Sequence, residues 1–264
     1  MSRSLSAVAA LALVLLAIAP TAAGRYSPPS WFERKAEAVE FAASRAGVES
    51  FAVVNLSGKV SGYHRWRIAP SASVLKPMLM VAYLNLASVR NRALTDRDRS
   101  LLAPMIRRSD NTTAGIVLNT VDAAGLYRVA RRAGMRHFRV HQPVWGLSEI
   151  TAADQARFFY RIDSYVPARH RAYARYLLSH IVSSQRWGIP PEAPAGWKVF
   201  FKGGWGSGTG RVTHQVALLE DGDQRFAIAV LTEHNPSHDY GVRTIRGIAA
   251  RLLRAPLPGP TPSG

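Results

Sequence analysis

The 264-residue chain contains no cysteine. It can form no disulfide, no cysteine-held zinc finger and no lipid anchor on a thiol, so its fold must rest on an apolar core. Acid is also scarce, with 17 Asp and Glu against 34 Lys and Arg and a formal charge of +17. Lysine is scarcer still: it occupies only positions 35, 59, 76, 198 and 202, and every other basic position is arginine. No apolar run reaches the ~20 residues that a membrane span requires. The longest, Ala7 to Ala19, follows Arg3 and is followed by Pro20 and the small residues Thr21, Ala22 and Ala23. That order is the pattern of a cleavable secretory signal peptide at 1–23, so the protein is expected to be exported and to have its mature start near residue 24.

The composition, 47% hydrophobic and 19% charged, is that of a globular protein able to bury a sizeable core. Removing Arg3 with the leader leaves a charge of +16. A basic exported protein is drawn to anionic surfaces such as acidic cell-wall polymers. Nucleic acid is not an expected partner, because the arginines are scattered and no aromatic RNA-binding signature is present. His234 and His238 flank a turn, but their spacing matches no metal pattern, so neither metal nor cofactor is expected. His214, on a predicted strand, reads as structural. Nothing points beyond a monomer.

Along the chain, Ser30 and Glu33 form a capping box that opens a helix running to about Arg45. "VESFAVVNL" (48–56) reads as a strand, and a turn at Gly58-Lys59 leads to a second near 60–67. Helical signals dominate from 73 to about 185, with capping boxes at Thr95/Asp98 and Thr151/Asp154 and an amphipathic segment over 169–182. Strands return at 197–205, 211–219 and 225–233, the last two joined by "EDGD" as a hairpin. A last helix covers about 239–254, and the Pro/Gly-rich stretch 255–264 is expected to stay unpacked. The predicted fold is α+β: a five-stranded antiparallel sheet flanked by the terminal helices, with an inserted all-α subdomain. The α/β part takes about 31–72 and 186–254, and the insertion about 73–185. A cleft between them is the natural site.

Lysine's scarcity makes "SASVLKPMLM" (71–80) informative. Ser73 and Lys76 are three apart, so on a helix they share a face. The surrounding run is apolar on nearly all sides, and a desolvated lysine can lose its proton and accept one from a hydroxyl. Arginine could not do this. Two further stretches have unusual composition: Ser109-Asp110-Asn111, just before a helical run, and Lys202-Gly203-Gly204 on a predicted strand. Each has an ordinary reading, as a turn or cap and as a strand end.

Taken in order, Ser73-x-x-Lys76, Ser109-Asp110-Asn111 and Lys202-Gly203-Gly204 resemble the S-x-x-K, S-D-N and K-T/S-G motifs of the serine β-lactamases and penicillin-binding proteins. The similarity spans about 31–254, and its second motif is closest to the class A form. The resemblance implies an acyl-enzyme mechanism on a β-lactam or a D-alanyl amide, such as a peptidoglycan stem peptide. Ser73 would be the nucleophile and Lys76 its base. Ser109 would relay a proton to the leaving nitrogen, Asn111 would hold the substrate amide, and Lys202 would supply positive potential. The backbone N–H groups of Ser73 and Trp205 would form the oxyanion hole.

Three departures bear on the finer function. Gly203 stands where the family has a hydroxyl that meets the substrate carboxylate; Arg211, Thr209 or Ser207 could substitute, Arg211 through two guanidinium hydrogen bonds. The class A glutamate that activates water for deacylation has no clear counterpart. Between Asn111 and Lys202 the only glutamates are Glu149 and Glu192, and Glu149, a possible base, reads by context as a residue entering a helix. The segment from Ser73 to Ser109 is also shorter than usual for the family. The expected activity is therefore a D,D-carboxypeptidase or penicillin-binding type of secreted serine hydrolase. A class A β-lactamase is the alternative, and a non-catalytic cell-wall binder on the same fold is a third reading.

Overall fold

The computed structural model describes residues 29–257, so the expected signal peptide and residues 258–264 lie outside the described residues. Ser30 caps helix α1 (Trp31–Ala43) through the reciprocal bonds its sequence predicts: Glu33 N–H to Ser30 Oγ at 3.3 Å and Ser30 N–H to Glu33 Oε2 at 2.6 Å. Strands β1 (Val48–Val54), β2 (Val60–Tyr63) and β3 (Ile68–Pro70) follow. The expected second strand over 60–67 is thus broken. His64 takes a left-handed φ of 42°, which ends β2 and sends the chain off the sheet before β3 begins.

The helical part comprises α2 (Lys76–Leu84), α3 (Asp96–Arg107), α4 (Asn111–Arg132), α5 (Ala152–Tyr160), α6 (Ile162–Tyr165) and α7 (Arg171–Ser179). It is not all-α. Strand β4 (Glu149–Thr151) pairs antiparallel with β3, with Glu149 opposite Pro70. This corrects the reading of Glu149 as a helix-entry residue. The box at Thr95/Asp98 forms in full, but that at Thr151/Asp154 forms only by half. Thr151 Oγ1 accepts from Asp154 N–H, whereas the Asp154 carboxylate turns to the backbone N–H groups of Arg136 and His137. Helix α5 packs on β1 and β7 rather than staying within the insertion.

Strands β5 (Lys198–Gly206), β6 (Val212–Asp221) and β7 (Gln224–Glu233) complete an antiparallel sheet of order β2-β1-β7-β6-β5, and α8 (His238–Leu252) closes it. β5 is therefore an edge strand facing the helical part. Helices α1 and α8 pack together on one face. Their contact continues past α8, because Leu257 is buried and Arg34 Nη2 donates to Pro256 O at 2.8 Å. Residues 255–257 thus pack, contrary to the expectation for a loose tail. The long buried strands β6 and β7 and the wholly buried α2 hold the two parts as one core.

Candidate active site

Ser73 lies in a 3-10 turn, Ala72–Leu75, that runs straight into α2, so Lys76 stands one turn later at the start of the helix proper. Pro77 occupies the first turn of α2, where its missing N–H costs nothing. The turn is anchored from both sides. Ser71 N–H donates to Ser148 O at 2.7 Å. His214, buried on β6, donates from Nε2 to Pro70 O (2.9 Å), while its Nδ1 accepts the N–H of Thr232 (3.0 Å). Those two bonds require a neutral ring, and burial pulls its pKa to about 4. The structural reading of His214 therefore gains a specific content: it fixes the chain just ahead of the nucleophile candidate.

Edge strand β5 comes against this turn because residue 204 is glycine. A Cβ there would lie 2.7 Å from Ser73 N and 2.8 Å from Val74 N. Ser73 keeps 8% exposure, and its hydroxyl has no hydrogen-bond partner among the described residues. Residue 72, immediately before it, is an alanine at φ 41°, and Ser109 stands at φ 61°. Non-glycine residues held in this region store strain that the surrounding fold must offset.

The second and third motifs meet at one hydroxyl. Lys76 Nζ donates to Ser109 Oγ at 3.1 Å and to Asn111 Oδ1 at 2.8 Å, and it also contacts Ser109 O. From the other side, Lys202 Nζ reaches Ser109 Oγ at 3.0 Å and Gly203 O at 2.7 Å. Asp110 caps α4 through Thr113 N–H (2.7 Å), which fixes the motif's backbone. Hydrogen bonds thus join Lys76, Ser109, Asn111, Lys202 and Gly203, and Gly204 lies against the backbone of Ser73, but among the described residues no hydrogen bond joins Ser73 Oγ to Lys76 Nζ, the contact their spacing suggests.

Both lysines are fully buried. Desolvation lowers Lys76 from 10.5 to about 7, partly countered by the charge of Asp110. Desolvation also pushes Lys202 down, and repulsion from Lys76 adds to it. Two ammonium groups bridged by one hydroxyl cannot both stay charged at low cost, so the pair titrates as a unit. When one amine is neutral it can accept the Ser109 proton, and the other can donate to the oxygen.

Two tryptophans that the sequence reading passed over shape the rest. The Trp145 ring lies 5.1 Å from Lys76 Nζ. Trp187 covers Gly203: a Cβ at 203 would sit 3.0 Å from its ring, so Trp187 fills the space that a threonine or serine would need. Gln215 holds that loop, accepting from Ile189 N–H (2.6 Å) and donating to Trp187 O (2.8 Å). Trp187 meets Trp205 edge-on at 5.9 Å and His238 at 5.3 Å. The available signal was the rarity of tryptophan, with six in the chain; spacing alone could not place these two.

Arg211 is exposed at φ 52° and shares a cavity of about 210 Å3 with Trp205, Thr213, Asn235 and His238. Ser207 lines the same cavity. Thr209 instead turns back to donate to Gly206 O at 3.3 Å. Glu149 is not joined to the lysine cluster. It lies on β4 with its carboxylate 3.8 Å from Arg139. Among the described residues, no hydrogen bond or ion pair of Lys76 or Lys202 involves a carboxylate, and no group of three or more His, Asp or Glu side chains is placed to hold a metal.

The geometry has counterparts in known proteins. The fold is similar to a β-lactamase from Sphaerobacter thermophilus, at 20% identity and TM-score 0.74 over 86% of this chain and 98% of that one. It is also similar to a β-lactamase from Desulfarculus baarsii, at 21% identity and TM-score 0.68 over 84% and 98%. A reconstructed ancestral class A β-lactamase gives 17% identity and TM-score 0.71 over 84% and 99%. No curated protein matches the sequence. Residues 97–255, which include the second and third motifs, match the Beta-lactamase enzyme family. The chain belongs to that family and is a serine hydrolase of the β-lactamase type.

Proposed function

We propose that the protein is an exported acyl-serine hydrolase of the D,D-peptidase or penicillin-binding kind, with efficient acylation and slow release of a β-lactam. Ser73 Oγ attacks the carbonyl of a D-alanyl amide or a β-lactam. A neutral Lys76 amine takes the hydroxyl proton as the new C–O bond forms. The negative oxygen so created is met by the Ser73 and Trp205 backbone N–H groups, β5 being an edge strand beside the nucleophile turn. Ser109 Oγ–H then passes its proton to the leaving nitrogen as the C–N bond breaks, and Lys76 returns a proton to Ser109 across their 3.1 Å contact. Lys202 helps to hold the anionic end of the substrate. Arg211, across the cavity beside Trp205, takes the carboxylate contact that Gly203 lacks. The charge of +16 left after removal of the leader with Arg3 favours an anionic substrate.

One observation carries the slow-release reading. Lys76 Nζ lies 5.1 Å from the Trp145 ring, and among the described residues no carboxylate hydrogen-bonds to it. The Glu149 backbone is paired in β4, and its carboxylate lies 3.8 Å from the Arg139 guanidinium.

The test offers the purified chain a peptide ending in D-alanyl-D-alanine, with and without one equivalent of penicillin. Steady release of D-alanine, stopped by that single equivalent, is expected. Catalytic hydrolysis of the penicillin would instead make the protein a β-lactamase. Inertness towards both would leave a binding protein.

A further inference from the structure

Away from the active site, the loop between β2 and β3 presents Trp66 beside an open cavity of about 400 Å3 lined by His64, Arg65, Trp66 and Arg67. Three guanidinium groups from three parts of the chain surround this one indole: Arg65 at 5.9 Å, Arg136 at 5.4 Å and Arg157 at 4.9 Å from the ring centre. His137 adds an edge contact at 6.0 Å.

Among the described residues, none of the three guanidinium groups forms an ion pair or a side-chain hydrogen bond. The neighbouring acids are committed elsewhere. Asp154 gives Oδ2 to the backbone N–H groups of Arg136 (3.1 Å) and His137 (3.2 Å), and its Oδ1 is buried without a partner. Glu233 faces Arg67 at 3.9 Å. Other arginine clusters in the protein are neutralised: Arg175 and Arg225 share Asp163 and Glu220. Three like charges held on one ring repel one another, and a multivalent anion removes that repulsion.

We propose that Arg65, Arg136 and Arg157, gathered on Trp66, form a binding site for a linear polyol-phosphate polymer, a chain of phosphodiesters that carries no bases. Guanidinium forks match phosphate oxygens in pairs, and a chain of regularly spaced phosphates can engage all three at once. Nucleic acid fits less well, because its bases need an open aromatic face and guanidinium groups crowd Trp66. A bilayer fits less well too: Ile68 is the large exposed apolar side chain adjoining the loop, too little to insert. The site is independent of the acylation chemistry.

The test titrates the full chain with synthetic poly(glycerol phosphate) at several salt concentrations. The site variant is Arg65→Gln/Arg136→Gln/Arg157→Gln. A control variant, Arg90→Gln/Arg97→Gln/Arg243→Gln, removes the same charge from other exposed arginines. At 0.15 M salt the site variant should bind about tenfold or more weakly, and its plot of log affinity against log salt should flatten by roughly two to three units. The control should stay within about threefold. Equal losses in both variants would overturn the site, since general charge would then suffice. Should the site variant misfold, hydrogen exchange on the wild-type chain decides: slowed exchange at 64–67 and 135–138 on adding the polymer supports the site, and slowing only elsewhere refutes it. Tighter binding to a single-stranded DNA of equal charge, or to phosphatidylglycerol vesicles, would overturn the assigned partner.

Discussion

The two sides of Ser73 differ in kind. On one side, Lys76, Ser109, Asn111 and Lys202 form a closed network with contacts of 2.7–3.1 Å and two fully buried amines. On the other, the segment 139–149 supplies an indole, a short strand and a surface ion pair between Arg139 and Glu149. The first side joins two buried amines to one hydroxyl, that of Ser109. On the second, no carboxylate among the described residues bonds to Lys76. Making the ester and breaking it are separable tasks, and the proposed function assigns this chain chiefly the former.

The largest test of that contrast removes the nucleophile. Ser73→Ala should abolish covalent labelling by penicillin, a loss of about 10^3-fold or more in acylation rate measured by intact mass. Next, Lys76→Met should slow labelling by about 10^2- to 10^4-fold while leaving the fold intact. Third is pH. With Lys76 near 7, labelling should rise about tenfold per unit below pH 7 and level off above it. The same residue sets a stability trend. Between about 7 and 10.5 the unfolded chain holds a proton on this lysine that the native state does not, so stability rises with pH across that window. The slope is about 1.4 kcal/mol per unit for one lysine, and denaturant melts of wild type and Lys76→Met would check it. Fourth, Trp145→Glu places a carboxylate beside Lys76 and should shorten the adduct's lifetime about tenfold. The smallest effect concerns Gly203. Gly203→Thr should cost about 1–3 kcal/mol by overpacking against Trp187, and much of that cost should vanish in a Trp187→Leu background, as a double-mutant cycle would show.

How much of this the sequence carried depends on whether the information was local. Capping at Ser30 and Thr95, the three long strands and the motif triplets are local patterns, and they stand where the sequence places them. Two features at the site are not local. Trp145 and Trp187 reach Lys76 and Gly203 only through loop paths that no periodicity encodes. The β3–β4 ribbon was missed because three-residue strands carry no alternation, and Glu149 was misread with it. Asp154 looked like the second half of a capping box, yet two backbone N–H groups from a distant loop took its carboxylate. The substitution of glycine at 203 was visible as a departure from the family; its cause, an indole in the same space, was not.

The lifetime of the acyl-enzyme tests the division between the two sides most directly. The chain would be mixed with a small excess of penicillin, stripped of free drug, and followed by intact mass. A 1:1 adduct on Ser73 that forms quickly and outlasts many minutes is the expected result. An adduct that disappears within seconds, with the drug released as hydrolysed product, would mean that an efficient water-activating base is present after all.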